Sequence, residues 1–558
     1  MNGISRIGLA GQVATYVLLA VVAAGCHATR RPAPVAPAAE QLALGSHTYP
    51  ITTTSPGAQR AFDRGLTLAY AFSHDAAEQE FRYAAALDPD CAMAWWGVAL
   101  VQGPHINFAA VPPERATTAW QALQNARVRA PRATARERAL IDALGARYTD
   151  PQPADRRGLD EAYANAMRQV WQTYPDDADI GTLFAESMMD LRPWDLWTTD
   201  GRPQPGTEEI DATLVRVLQL APQHPGANHL YIHLVEASRH PERGVRAADR
   251  LRTLVPDAGH LVHMPAHIDA RVGRWSDAAE ANRRAIAADA TFRAAYPRPG
   301  FYAMYMMHNQ HFLAYAAMMQ GQSAVALAVA RQMLADVPED FLREHTAVAD
   351  GYMIFASEVL MRFGRWEEML AEPEPRPELP LSRALWHFTR GVALTALSRL
   401  PEAERERAAF HVAAERVPAD WTFGNNPASD ILAIAEHLLA GEMAAQRGRL
   451  RPAIQLLREA VMIEDRLRYD EPPDWIQPAR HTLGAVLLRA KRYREAESVY
   501  REDLARYPEN GWALFGLARA LRLQHKDTAA AAVEARFATV WAHADVTLGS
   551  TCYCQPGV

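Results

Sequence analysis

HLYIHLVE (residues 229–236) and HLVHMPAH (residues 260–267) decide how this chain is read. His229 and His233 are four apart, so on a helix they share one face. The second stretch repeats the pair as His263 and His267, displaced by 34 residues. A helical pair of imidazoles has been copied one repeat downstream. A period of that length is one helix–turn–helix unit, which buries its apolar side only by stacking on its neighbours. HNQH (residues 308–311) supplies histidines to a third unit.

Outward from this centre the same unit recurs. Runs rich in Ala, Leu, Glu and Arg show 3.6-residue periodicity, and no stretch alternates as a strand would. In the first unit Gly65, Ala77, Phe81, Ala84 and Pro89 stand at regular places; in a late one Leu483, Gly484, Leu487, Ala496, Tyr500 and Pro508 do. Small residues let two helices approach, and proline ends the second helix. These positions resemble the tetratricopeptide repeat family. The resemblance covers roughly residues 56–540, with degenerate or interrupted units in the middle. It implies an all-α, right-handed superhelical solenoid of helix pairs with inserted loops, used as a scaffold or interaction protein.

Helices are expected over 114–130, 133–148, 159–173, 180–191, 208–220, 383–397, 401–416, 431–447 and 452–467. Residues 103–114, 192–207, 291–300, 422–429 and 468–475 read as interruptions. Insertions of this kind commonly sit on a solenoid's binding face. AEPEPRPELP (residues 371–380) has four prolines in ten residues and is the best linker candidate. The expected division is a solenoid over 56–372 with a histidine-rich groove, a second over 381–545, and a tail over 546–558.

The N-terminus reads as an address. Arg6 precedes an apolar run over 7–24, which ends Val21-Val22-Ala23-Ala24-Gly25-Cys26. This resembles a bacterial lipoprotein signal over 1–25, cleaved before Cys26 with a lipid on that cysteine. It implies a membrane-anchored protein of the bacterial cell envelope, facing the periplasm or another extracytoplasmic space, on a flexible tether over 26–55. Cys91 and the pair Cys552 and Cys554 are the other cysteines. The C-x-C pair can form a disulfide in a frayed tail or offer two soft ligands. A formal charge of −7 provides no basic field for nucleic acid.

When the three central units are aligned, His229, His263 and His311 take the fifth position of the repeat. His233 and His267 take the ninth, where the third unit has Tyr315. His260 and His308 take the second, and Glu236 the twelfth. These positions form one stripe of the first helix, which in the tetratricopeptide family lines the concave groove. Seven histidines and one carboxylate are thus expected to converge from three neighbouring helices. Imidazole is the commonest nitrogen ligand of transition metals, so one reading is a site for Zn, Cu or Fe. Seven exceed one ion's needs, so either two ions bind or some rings only support the ligands. A second reading is a groove for a protein, a peptide or a small-molecule ligand, with Glu186, Tyr231 and Tyr315 among its contacts. A third is purely structural histidines. No H-E-x-x-H, G-x-S-x-G or phosphate-binding glycine motif is present. A metal-dependent hydrolytic or oxidative enzyme would use Glu236 as general base, with Glu186 or Asp190 in reserve.

Overall fold

Two aromatic side chains show how the sequence builds its helix pairs. The computed structural model describes residues 41–555. In it Phe81, on the helix His74–Leu87, lies between Gly65 on Pro56–Tyr70 and Gly97 on Ala92–Leu100. A Cβ would meet its ring at 2.8 Å from Gly65 and at 2.4 Å from Gly97. Tyr500, on Tyr493–Arg506, lies in the same way between Gly484 and Gly516, each 2.3 Å from a Cβ built there. In both cases the glycines stand 16 residues before and after the ring. The spacing quoted from sequence is therefore a packing device: helices close to backbone distance around one wedged aromatic. Gly97→Ala and Gly516→Ala are each expected to cost about 1–3 kcal/mol by overpacking, measured by urea unfolding; Gly158→Ala, with open space around it, is the control.

The chain is an all-helical solenoid of tetratricopeptide-like pairs. Among the described residues the only sheet is a two-residue hairpin pairing Thr422–Phe423 with Asn426–Pro427. Observed helices such as Pro113–Arg129, Arg157–Thr173, Ala178–Met189, Thr207–Leu220 and Pro380–Ala396 match the expected spans to within three residues. One expectation needs correction. Residues 291–300 are not wholly an inserted loop, because the helix Trp275–Ala295 runs through half of them. Ala-rich sequence with no breaker before Pro297 lets the helix continue.

The ends are docked. From Leu42 onward the chain is not a tether: Ala43 and Asp257 exchange hydrogen bonds of 2.7 and 3.1 Å, and Leu42, Leu44 and Tyr49 are buried. The C-terminal segment is likewise no frayed tail. Asp545 caps the amides of Ser323 and Ala324 at 2.7 and 2.9 Å, and Thr551 donates to the His481 carbonyl at 2.7 Å. Cys552 and Cys554 are joined in a disulfide buried beside Glu442. Cys26 and the leader lie outside the described residues.

The solenoid also turns back on itself. The indole of Trp512 donates to Met318 O and that of Trp275 to Pro508 O, both at 2.8 Å; Arg271 reaches Arg506 O at 3.0 Å. Late repeats therefore seal the groove of the middle ones. Two hydrophobic clusters result, one running from Leu42 to Met306 and the other from Ala266 to Cys554. They meet along the histidine-bearing helices. Residues on both sides of the proline-rich segment, Met369 and Leu381, share the second cluster.

Glu358, on Phe355–Arg362, is buried, and burial pushes its carboxyl up to about 8. The folded state thus holds a proton that the unfolded chain releases near its ordinary value. Stability from this residue is full below that value and falls as pH rises towards 8. Glu358→Gln is expected to be nearly neutral at pH 4 and stabilising by about 1–3 kcal/mol at pH 8, by denaturant melts at the two pH values.

Candidate metal centre

Three short helical stretches carry the imidazoles: Pro225–Glu236, the pair Gly259–His263 and Pro265–Arg271, and Ala303–Met319. Pro265 lacks an amide hydrogen and breaks the second of these between His263 and His267. Six of the seven expected histidines converge. His229, His233 and His260 bring one nitrogen each within 4.8 Å of one another, and His263, His267 and His308 do the same.

Hydrogen bonding settles which nitrogens face inward. His229 Nδ1–H donates to Tyr70 O at 2.7 Å. His233 Nδ1–H donates to Glu236 Oε1 at 2.7 Å. His263 Nδ1–H donates to Asn282 Oδ1 at 2.8 Å, an oxygen whose orientation is fixed because Asn282 Nδ2 donates to Ala278 O. His267 Nδ1 lies 2.6 Å from Glu236 Oε2, bent away from an ideal hydrogen bond. Three rings, His229, His233 and His263, therefore spend their Nδ1 proton outward and turn a lone pair on Nε2 inward. The Nε2 atoms of His263 and His267 are 2.8 Å apart, those of His263 and His308 3.1 Å, and those of His229 and His260 3.1 Å. His233 Nε2 is buried with no hydrogen-bond partner. Nitrogens held about 2.0–2.1 Å from one ion stand roughly 3 Å apart, so these separations suit coordination. A cation between them would take both lone pairs; without one, His260, whose Nδ1 is buried with no partner, and His308 must carry their protons on Nε2 and donate to His229 and His263.

Charge follows the same pattern. Burial, with repulsion from neighbouring imidazoles, holds His229, His260, His263 and His308 well below the usual imidazole range. These rings are neutral, as ligands must be. Burial also lowers His233, against the pull of Glu236. Burial would raise the Glu236 carboxyl, but His267 and His233 outweigh it and hold it ionised. His267 is the exception: burial lowers it, yet Glu236 raises it overall. A proton on His267 Nε2 would satisfy His263, but it leaves His233 Nε2 without a partner.

Glu236 therefore sits behind the nitrogens rather than among them, as a carboxylate that orients one imidazole of each triad. Tyr469 OH donates to its Oε2 at 3.2 Å, from the interruption at 468–475 that closure brings across the groove. That contact joins residues 233 apart in sequence and had no local signal. Phe72 was also illegible. It occupies a turn position with φ 54°, where Gly273, Gly321, Gly364 and Gly448 stand in other pairs. A bulky residue there is strained. Its ring lies 4.6 Å from that of His229 and 5.6 Å from that of His260, closing one side of the first triad.

Other expected residues lie elsewhere. His311 packs its ring on Phe355 and Tyr352, at 4.4 and 5.3 Å, outside both triads, although it lines the adjoining chamber. It stands three residues along the same helix from His308, which does join. Tyr231 faces Arg243, 5.9 Å from its ring. Tyr315 is fully buried against Trp275. Glu186 is half-buried beside Asp190, and burial plus that neighbour raise its carboxyl above the usual range. None of these last three lines the chamber. The loop over 192–207 does reach the groove: Trp194 meets the His233 ring at 5.3 Å, and Trp197 Nε1 is tied to Leu234 O at 2.6 Å.

No protein-family model matches the chain, and no curated protein matches it. Solved structures with a similar course include a human IFIT1 dimer with PPP-AAAA, at 13% identity over 86% of this chain and 89% of that one, with a TM-score of 0.32. The APC/C hetero-tetramer Cut9-Hcn1 is similar at 11% identity over 89% and 78%, with a TM-score of 0.30. At these values the likeness says nothing about the groove's ligand.

Proposed function

We propose that this chain is a lipid-anchored repeat protein of the bacterial envelope whose closed groove holds transition metal on paired imidazole triads and binds a small ligand or partner beside it. One observation carries the metal: buried Nε2 atoms 2.8–3.1 Å apart in three pairs, with His229 and His263 held by outward Nδ1–H bonds to Tyr70 and Asn282 so that their Nε2 lone pairs face the partner rings. The address rests on the run from Arg6 to Cys26. The negative formal charge favours a ligand other than nucleic acid.

A metal-dependent enzyme is the second reading. It is favoured by a chamber of about 380 Å³ that touches four of the six triad histidines. In it Glu236 is a positioning residue, because both its oxygens are engaged by His233 and His267. Elemental analysis of the full chain purified in detergent tests the proposal. Stoichiometric metal that survives desalting is expected; negligible metal after loading with zinc, copper and iron in turn would overturn it.

A further inference from the structure

The two triads do not behave as separate sites. Ring centroids across them, 6.0 Å for His260–His263 and 5.9 Å for His233–His267, are no farther apart than the 6.2 Å between His233 and His260 within one. Glu236 holds a ring of each. Two rings from each triad, His233 and His260 from the first and His267 and His308 from the second, open onto the same chamber. His229 and His263 stand behind them. Two ions seated on these triads would each keep a coordination position facing one shared space, close enough for one small molecule to touch both.

The donor set narrows the metal. All six ligand atoms are imidazole nitrogens, with neither thiolate nor carboxylate among them. Nitrogen donors favour copper over the other divalent metals of its row. Charge favours it again. Two copper(I) ions bring two positive charges into a buried site, whereas two divalent ions bring four. The thioethers of Met304 and Met307 also line the chamber.

The chamber narrows the substrate. Its walls are apolar and aromatic, with Phe301, Tyr305 and Tyr352 among them, and neither Arg nor Lys lines it. Asp470 is the single carboxylate on its lining. No cationic side chain is there to hold an anion, and the walls suit a small neutral aromatic bearing hydroxyl groups, with the Asp470 carboxyl on the lining as a polar contact.

We infer that the triads form one dinuclear copper centre that oxidises a small ortho-diphenol at the expense of dioxygen. Each diphenol gives up two electrons and two protons and leaves as an ortho-quinone. One dioxygen accepts four electrons and four protons from two diphenols and leaves as two waters. This rests on the metal reading above and deepens it.

The test uses the full chain in detergent, loaded with copper(I) under nitrogen and desalted. Copper per chain is counted first, then the Cu(II) EPR signal after air, then oxygen uptake with catechol. Two copper ions per chain, an EPR signal well below that of two isolated ions, and one dioxygen consumed per two catechols are expected. His233→Ala should bind one copper fewer, show a full single-ion signal and lose uptake; zinc-loaded wild type should show no uptake. Two bound coppers with full signal and no uptake above the zinc control would overturn the dinuclear oxidase and leave the metal reading standing. No retained copper would overturn this inference, and zinc or iron retained instead would still leave the metal reading intact.

Discussion

His229→Ala combined with His263→Ala is expected to abolish tight metal binding. Each substitution removes the ring at the back of one triad and leaves two imidazoles for each ion. Loss of a group that merely orients a ligand already costs 10–100-fold in affinity, so loss of one ligand in three should cost more at both sites. Stability separates this from a folding defect. A ligand that binds only the folded state stabilises it by roughly 2.7 kcal/mol at a hundred times its Kd. Metal should therefore raise the wild-type melting temperature and leave that of the double variant unmoved. Without metal the variant also loses the 2.8 Å nitrogen contact between His263 and His267, which offsets part of the cavity left by the rings. Equal metal-induced shifts in both proteins would show that ions bind elsewhere.

Glu236→Gln should weaken metal binding at one triad and lower stability with a single change. The carboxylate accepts from His233 Nδ1 at 2.7 Å and pairs with His267 Nδ1 at 2.6 Å. An amide offers one accepting oxygen and one donating nitrogen. One imidazole must then face a donor, and it can do so only by moving its proton to Nε2, which removes its lone pair from the metal. Affinity is expected to fall about 10–100-fold at one triad at least. Breaking a buried pair by neutralising one partner also costs about 3–5 kcal/mol of stability. Isothermal titration and denaturant melts on one preparation read both effects. A stability loss with unchanged affinity would reduce Glu236 to a structural residue.

Much of this was legible beforehand. The 34-residue echo between His229 and His263 placed both on stacked helices, because a repeat of fixed period returns equivalent positions to the same face. Gly65, Phe81, Gly484 and Tyr500 were readable for the same reason. What was not legible came from contacts with no sequence period. Tyr469 reaches Glu236 only because the solenoid closes, and Asn282 orients His263 from a partner helix whose own pattern is ordinary. Phe72 holds a turn conformation that four other pairs give to glycine and three to Ser398, Lys491 and His525, so its ring's place beside His229 had no pattern to reveal it. His311 shows the limit of stripe reasoning: it shares the helix and the expected stripe with His308, yet it packs on Phe355 and Tyr352 while His308 joins the second triad.

Anomalous diffraction from a crystal of the metal-loaded protein, collected above the absorption edge of the bound element, tests the central claim most directly. Two peaks are expected, each within bonding distance of three Nε2 atoms, one among His229, His233 and His260 and the other among His263, His267 and His308. Peaks confined to surface histidines such as His240, or no peak between these rings at full loading, would contradict it.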